Sequence, residues 1–211
     1  MIGRLACAVA VMFVAMPMAA HATSAEKIRN GKVAVTDETL QPGEGDSIAG
    51  GRATLIVYMS DGAMLYGRMG TRRAVHQVHA GEVMAFSGTM SAVRNVGKAP
   101  LHFARVEFLT EGKHETWGKT GLAPNYKVLH EDRYGRTYDI RIKAGEFEPQ
   151  HTHHDRVVIA LSGAKLEHIL PDGTKQPSTL ETGEIVYRPG ATHVGHNLGK
   201  TDLWVIAVEP K

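Results

Sequence analysis

The chain repeats its own residue pattern at a spacing of 102 residues. The match runs without a gap over 81–107 and 183–209, and it extends upstream to the Gly-Glu pairs at 43–44 and 145–146. Matching positions include Gly81 and Gly183, Asn95 and Asn197, and Glu107 and Glu209. One fold is therefore encoded twice. Only the second copy carries a cluster of histidines, at 151, 153 and 193, so the two copies differ in the chemistry that they can perform.

Short runs of branched and aromatic residues predict an all-β chain. Clusters of glycine, proline and aspartate separate these runs, as is typical of turns between strands. The runs cover 52–59, 102–109, 138–143, 156–161 and 203–208. The Gly-Glu pairs at 43, 81, 145 and 183 are interpreted as turns at strand starts. Only residues 24–29 are predicted as a helical turn, and many short strands without long helices predict a sandwich or a barrel.

Residues 1–22 have the features of a secretory signal. Arg4 precedes an apolar run, and Ala20-His21-Ala22 fits the small-x-small pattern found before a cleavage site. We therefore expect the mature chain to begin at Thr23 and to be periplasmic or secreted, with an uncleaved anchor as the alternative. Cys7 is the only cysteine and lies inside this segment, so the mature chain would have neither a disulfide nor a thiolate site.

The charge pattern of the chain makes nucleic acid an improbable partner. The 24 basic and 22 acidic residues nearly balance, and no basic run with interleaved aromatic residues occurs. No apolar stretch after the signal is long enough to cross a membrane, so no membrane contact is expected after cleavage. The repeat divides the chain into a signal (1–22), a first barrel (23–110), a linker (111–130) and a second barrel (131–211).

Histidines in the second copy form a candidate metal site. His151 and His153 point the same way because side chains alternate faces along a strand. His193 follows the Pro189-Gly190 turn on a distant strand, and three neutral imidazoles converging inside a barrel suit a first-row transition metal. Asp155 shares the strand parity of the two histidines and could add a carboxylate. By the same parity, His154 and His196 should face away from the site.

The residues around these histidines resemble the two motifs of the cupin superfamily. The first is Gly145-x5-His151-x-His153 followed by Gly163, and the second is Gly183-x5-Pro189-Gly190-x2-His193-x3-Asn197. The resemblance implies a small jelly-roll β-barrel whose central metal is held by three histidines and a glutamate. The histidine positions match His151, His153 and His193. The glutamate position holds Arg156, so either Asp155 substitutes or the site has three histidines only.

The whole chain resembles a bicupin, with two barrels in tandem of which one is degenerate. At the 102-residue offset the three histidines become Ala49, Gly51 and Ser91, which leaves no metal site in the first copy. Residues 132–208 are also loosely similar to small bacterial cupins linked to β-alanine degradation. Cupins are frequently dimers, so this resemblance implies a homodimer as an expectation.

Several residues keep two interpretations. Tyr187, His168 and Arg141 either point into the second barrel or are ordinary strand residues. The methionines of the first copy are interpreted as core fillers, with a lined cavity or soft sulfur ligands for copper as alternatives. They are Met59, Met64, Met69, Met84 and Met90.

Two classes of function stay open. One is a metalloenzyme, dioxygenase-like or lyase-like, in which one divalent transition metal (Fe, Zn, Mn, Cu or Ni) acts on a small oxygenated substrate. Asp155 or Tyr187 would then assist proton transfer. The other is a non-catalytic periplasmic protein that binds a small molecule or a metal. An open barrel mouth beside the metal would favour the enzyme, and a sealed barrel the binding protein.

Overall fold

The computed structural model describes residues 23–68, 73–88, 90–112 and 123–211, with the backbone alone for Arg68 and Ser87. The predicted signal 1–22 lies outside the described residues. Within the described ranges the chain forms eighteen β-strands and no helix, so none of these residues forms a helix that could cross a membrane. The all-β prediction is confirmed.

Nine strands form the first half and nine form the second. The first nine are β1 (Thr23–Arg29), β2 (Val33–Leu40), β3 (Gly45–Ile48), β4 (Ala53–Tyr58), β5 (Gly62–Arg68), β6 (Ala74–Val78), β7 (Val83–Ser87), β8 (Ser91–Asn95) and β9 (Leu101–Phe108). The second nine are β10 (Tyr126–Glu131), β11 (Gly135–Ile142), β12 (Phe147–His153), β13 (Arg156–Ser162), β14 (Ala164–Ile169), β15 (Lys175–Leu180), β16 (Ile185–Arg188), β17 (Ala191–Asn197) and β18 (Leu203–Pro210). The five runs predicted as strands are β4, β9, β11, β13 and β18.

The two halves have the same topology. Each is a five-stranded antiparallel sheet facing a four-stranded one: β1-β2-β9-β4-β7 with β3-β8-β5-β6, and β10-β11-β18-β13-β16 with β12-β17-β14-β15. Corresponding strands lie 102 residues apart, as β2 and β11 do, so the sequence repeat is a repeat of structure. This is a tandem arrangement of two jelly-roll barrels.

Three apolar cores hold the barrels together. One lies inside each barrel, and the third lies between the two five-stranded sheets. Strand β13 shows how one strand serves two cores, because Val158 faces its own barrel while Val157 and Ile159 face the other barrel. Such strands are buried on both faces, which explains why they read as continuous apolar runs.

The repeated glycines and asparagines mark the turns. Gly43, Gly81, Gly145 and Gly183 all have positive φ, between 77° and 86°, where a side chain would be strained. The repeated asparagines tie the sheets together in the same way in each barrel. The side-chain amide of Asn95 donates to the carbonyl of Leu40 at 2.8 Å, and that of Asn197 donates to the carbonyl of Ile142 at 3.0 Å.

Two segments that were expected to be a helical turn and a linker contain β-strands. Residues 24–29 form part of β1, paired with β2, because tertiary pairing overrides a weak local helical preference. The stretch expected as a linker, 111–130, includes most of β10, which pairs with β11 in the second barrel. The 102-residue offset itself maps β1 onto residues 125–131, so the repeat contained this information.

The methionines of the first barrel are mainly packing residues. Met64 is fully buried in the barrel core, and its sulfur lies 3.3 Å from the hydroxyl of Tyr58. Met84 packs against the same core and Met59 against the core between the barrels. Met90 is exposed, and Met69 lies outside the described residues.

Candidate metal centre

The three predicted histidines meet inside the second barrel. Strands β12 and β17 pair so that His151 lies directly opposite His193, and His153 follows two residues along the same face. One ring nitrogen from each lies within 4.8 Å of the others. All three residues are buried, with 4–5% of their surface exposed. The strand-alternation argument therefore places these side chains correctly.

A carboxylate joins the group through an irregularity in β12. The register of β12 against β17 shifts between Glu148 and His151, which puts Glu148 on the same face as the histidines despite its odd spacing. Its Oε2 lies 3.5 Å from Nε2 of His151, and its Oε1 accepts a hydrogen bond from the amide of Asn125 at 2.9 Å. Glu148 is therefore the carboxylate that the structure brings to the cluster.

The outer nitrogens of two imidazoles are occupied by acceptors. Nδ1 of His151 lies 2.8 Å from the carbonyl oxygen of Pro149, which can only accept, so this nitrogen carries the proton. Nδ1 of His153 faces Oε1 of Glu209 at 3.5 Å. Both rings then turn an unprotonated Nε2 inwards. An acceptor behind the imidazole is the usual support of a metal-ligating histidine.

The two inward nitrogens are crowded in a way that fits a cation. Nε2 of His151 and Nε2 of His153 are 2.7 Å apart, and both lie within 3.0 Å of the hydroxyl of Tyr126. That hydroxyl has one proton and can satisfy only one of the two lone pairs. A divalent ion at about 2.1 Å from each nitrogen would satisfy both. The residues therefore fit a transition metal.

Burial keeps the site in its metal-binding protonation state. It lowers the pKa of His153 to about 2 and that of His193 to about 3, with the neighbouring charges and imidazoles acting in the same direction. Neutral imidazole is the form that binds metals. Burial also raises the pKa of Tyr126 well above its ordinary value, so the phenol keeps its proton. The ring of His168 stacks on His193 at 4.4 Å, and burial lowers its pKa too.

The structure does not bring Asp155 to this group. Strand β12 ends at His153, so the alternation that placed Asp155 on the same face stops before it. Its Oδ1 instead accepts a hydrogen bond from the backbone N–H of Gly190 at 2.8 Å. Arg156, which occupies the glutamate position of the motif, is buried, and its Nη1 lies 3.4 Å from the carbonyl oxygen of Pro189.

A cavity of about 70 Å³ adjoins the histidines, enough for a few water molecules or a small ligand. One part of its wall is apolar, with Ile140, Val158, Leu166 and Val205. The polar part is formed by Tyr126, Glu148, His153, Arg156, His168, Arg188 and His193. A metal held by the histidines would therefore have ligand-accessible space next to it.

Of the three residues with two interpretations, one reaches the cavity and two lie elsewhere. His168 lines the cavity, whereas Tyr187 packs against the core between the barrels and Arg141 lies on the surface, 4.1 Å above the ring of Trp204. His154 is exposed, and His196 stacks on Phe147 on the face of β17 opposite His193. Strand alternation predicts both of these last placements.

The first barrel fills the corresponding space differently. Ser91 is buried at the position of His193, while Ala49 and Gly51 are exposed at the positions of the other two histidines. Inside this barrel the buried Arg105 donates to Glu38 at 2.8 Å and also bonds Asp46. In the described part of the chain, the histidines of the second barrel form the one group of three residues suited to a metal.

Sequence reasoning missed Tyr126, Glu148 and Arg188 as lining residues. Tyr126 fell in the expected linker, although the repeat offset aligns its neighbourhood with the first strand. Glu148 was hidden by the register shift in β12, which breaks the period-two rule. Arg188 shows no sequence signal beyond its place at the end of a strand.

No protein-family model matches the chain, and no curated protein matches it. Solved structures do match. AerE from Microcystis aeruginosa superposes with a TM-score of 0.67 at 14% identity, over 93% of this chain and 95% of that one. A cupin 2 conserved barrel domain protein from Leptotrichia buccalis gives 0.60 at 12% identity, over 93% and 92%.

Oxalate decarboxylase OxdC from Bacillus subtilis gives a TM-score of 0.55 at 12% identity, over 92% of this chain and 78% of that one. That enzyme is described as having Mn(II) centres. At these identities the likeness concerns the fold alone. The chain therefore has the cupin fold, which confirms the fold expected from the motifs.

Proposed function

We propose that the second barrel binds one divalent transition metal through His151, His153 and His193, and that the protein is a metal-dependent enzyme acting on a small oxygenated substrate. The observation that carries this proposal is the pair of inward Nε2 atoms, 2.7 Å apart with one shared hydroxyl proton between them. The similarity to a decarboxylase with Mn(II) centres supports it.

Glu148 is the further ligand that we propose. Its Oε2 is 3.5 Å from the metal-facing nitrogen of His151, and it is buried where an unpaired carboxylate is costly. Imidazole with one carboxylate suits Fe, Zn, Mn, Cu and Ni alike, so the ligand set leaves the metal open. A bound ion would supply Lewis-acid polarisation of a substrate oxygen.

The remaining residues bind substrate and control protons. The phenol of Tyr126 keeps its proton and can donate it in a hydrogen bond to a substrate oxygen beside the histidines. The apolar wall around Val158 and Val205 excludes water from the other side of the cavity. A lyase-like and a dioxygenase-like reaction are both compatible with this arrangement, and dependence of turnover on O2 separates them.

A non-catalytic binding protein is the second candidate. Arg156 at the glutamate position favours it, because a positive charge there weakens the binding of a nearby metal ion and supplies no ligand for it. Screening small organic acids, including β-alanine derivatives, against the metal-loaded protein tests for turnover. Stoichiometric ligand binding without any product would identify a binding protein.

We further propose a bicupin with a single working barrel, and this leads to the main experiment. Elemental analysis of the purified mature protein should give one metal per chain. His193→Ala should abolish stoichiometric metal, because it removes one of few strong ligands. Ser91→Ala, the matched change in the first barrel, should leave the metal content unchanged. Two metals per chain, or full occupancy in His193→Ala, would contradict the proposal.

Export and assembly remain part of the proposal. Mass analysis of the protein recovered from the periplasm should give a chain that begins at Thr23, and a chain that begins at Met1 in the membrane fraction would exclude cleavage. Light scattering of the mature protein tests the expected homodimer.

A further inference from the structure

Two arginines lie side by side on neighbouring strands of the second barrel, beside the candidate metal centre. Arg156 at the start of β13 pairs directly with Arg188 at the end of β16, and both line the cavity that contains His153 and His193. Like charges at directly opposite strand positions are destabilising. Their placement therefore costs stability unless something in the cavity compensates it.

Arg156 is more than nine-tenths buried, with 8% of its surface exposed. Its side chain donates one long hydrogen bond, from Nη1 to the carbonyl oxygen of Pro189 at 3.4 Å. In the described part of the chain no carboxylate oxygen lies within 4 Å of its guanidinium nitrogens or of those of Arg188, and Glu209 and Glu148 act on Arg156 only from farther away. Burial lowers the pKa of Arg156, the charges of Glu209 and Glu148 oppose this shift without cancelling it, and the charge of Arg188 adds to it. A buried, unpaired guanidinium is among the most costly groups in a protein interior.

The carboxylates nearest to the cavity are already engaged. Glu148 accepts from Asn125 and faces His151, and Glu209 accepts from the hydroxyl of Tyr138 at 2.9 Å. The positive end of the cavity therefore has no internal anion in contact with it. A planar guanidinium fork matches a carboxylate in a bidentate arrangement.

We infer that Arg156 and Arg188 form a subsite for the carboxylate group of a small organic acid, whose short apolar chain lies along the wall of Ile140, Val158 and Val205. This inference rests on the proposed function, since it names the substrate class of the same cavity. The size of the cavity limits the ligand to a few heavy atoms beyond the carboxylate.

The test is calorimetric titration of the full mature chain with propionate, propionamide and inorganic phosphate, with and without bound metal. Propionate should bind, and the neutral amide should bind at least tenfold more weakly. Arg156→Met should weaken propionate binding about 10- to 100-fold, the loss expected for a hydrogen-bonded charge. Arg141→Met, a surface arginine of the same barrel, should change nothing.

Arg156→Met should also be at least as resistant to heat as the wild type without ligand, because it removes an unpaired buried charge. If this variant does not fold, Arg188→Met carries the same expectation, since Arg188 is only partly buried. Equal binding of acid and amide, or unchanged affinity in both variants, would overturn the inference. Tighter binding of phosphate than of propionate would overturn the assignment to organic acids.

Metal analysis of the same samples separates this inference from the proposed function. Arginine-dependent propionate binding in a protein that holds no metal would leave the subsite standing and reject the metal site. One metal per chain without propionate binding would leave the metal site standing and reject the arginine subsite.

Discussion

The buried histidines make the stability of the metal-free protein depend steeply on pH. His153 and His193 have folded-state pKa values of about 2 and about 3, against an ordinary 6.5. The unfolded chain therefore binds more protons than the folded one between these values. The free energy of unfolding rises with pH there, and the stability is lost as pH falls below 6.5.

The magnitude follows from the fraction of protons bound. A pH of 5 is about 1.5 units below the pKa of an unfolded histidine, which is therefore protonated, whereas both folded histidines stay neutral. At about 1.4 kcal/mol per unit, each costs about 2 kcal/mol between pH 7 and pH 5, or about 4 kcal/mol together. This is a large share of the 5–15 kcal/mol typical of domain stability.

Urea unfolding followed by circular dichroism, in the presence of a chelator, measures the free energy of unfolding at pH 7 and at pH 5. His193→Gln should reduce the difference between pH 7 and pH 5 by about 2 kcal/mol. Comparing variant and wild type cancels the groups that both share. An unchanged pH dependence in His193→Gln would refute the reasoning, because it would mean that the folded imidazole titrates as in water.

Three further predictions concern the surroundings of the site. Asp155→Asn should leave metal affinity, measured by chelator competition, unchanged, because this carboxylate already accepts a backbone hydrogen bond; weaker binding would make it a ligand. Gly195→Ala should lower metal affinity about tenfold while the fold persists, since its new Cβ would lie 2.8 Å from the carboxylate of Glu148; equal affinity would exclude Glu148. Gly163→Ala should cost about 3 kcal/mol or more in urea unfolding, because its Cβ would lie 2.1 Å from a backbone carbonyl oxygen. Gly31→Ala, with nothing within 4 Å, is the control, and equal midpoints would contradict the steric argument.

The parts of this structure that sequence reasoning predicts are those governed by periodic rules. The 102-residue repeat predicts two barrels because a repeated pattern of turns and apolar strands can only bury itself in the same way twice. Alternation along β12 and β17 predicts that His151, His153 and His193 point inwards and that His196 points outwards. These rules are local and do not depend on distant packing.

The parts that it misses are those where a periodic rule is interrupted. The register shift in β12 moves Glu148 onto the inner face, and the end of the strand at His153 removes Asp155 from it. Tyr126 reaches the site because β10 pairs with β11, a tertiary contact that its polar neighbours do not indicate. Irregularities of this kind arise from packing and concentrate near functional sites.

The two barrels show what allows this fold to carry an ion. Asp46 of the first barrel and Glu148 of the second are equivalent, but Arg105 bonds Asp46 from within, while its counterpart in the second barrel is Ala207. Alanine at this position leaves the carboxylate beside the histidines without that partner. The first barrel thus neutralises Asp46 with its own side chain. In the other barrel the equivalent acid lies beside histidine nitrogens instead, and these side chains together offer the ligand atoms that a cation from outside would need.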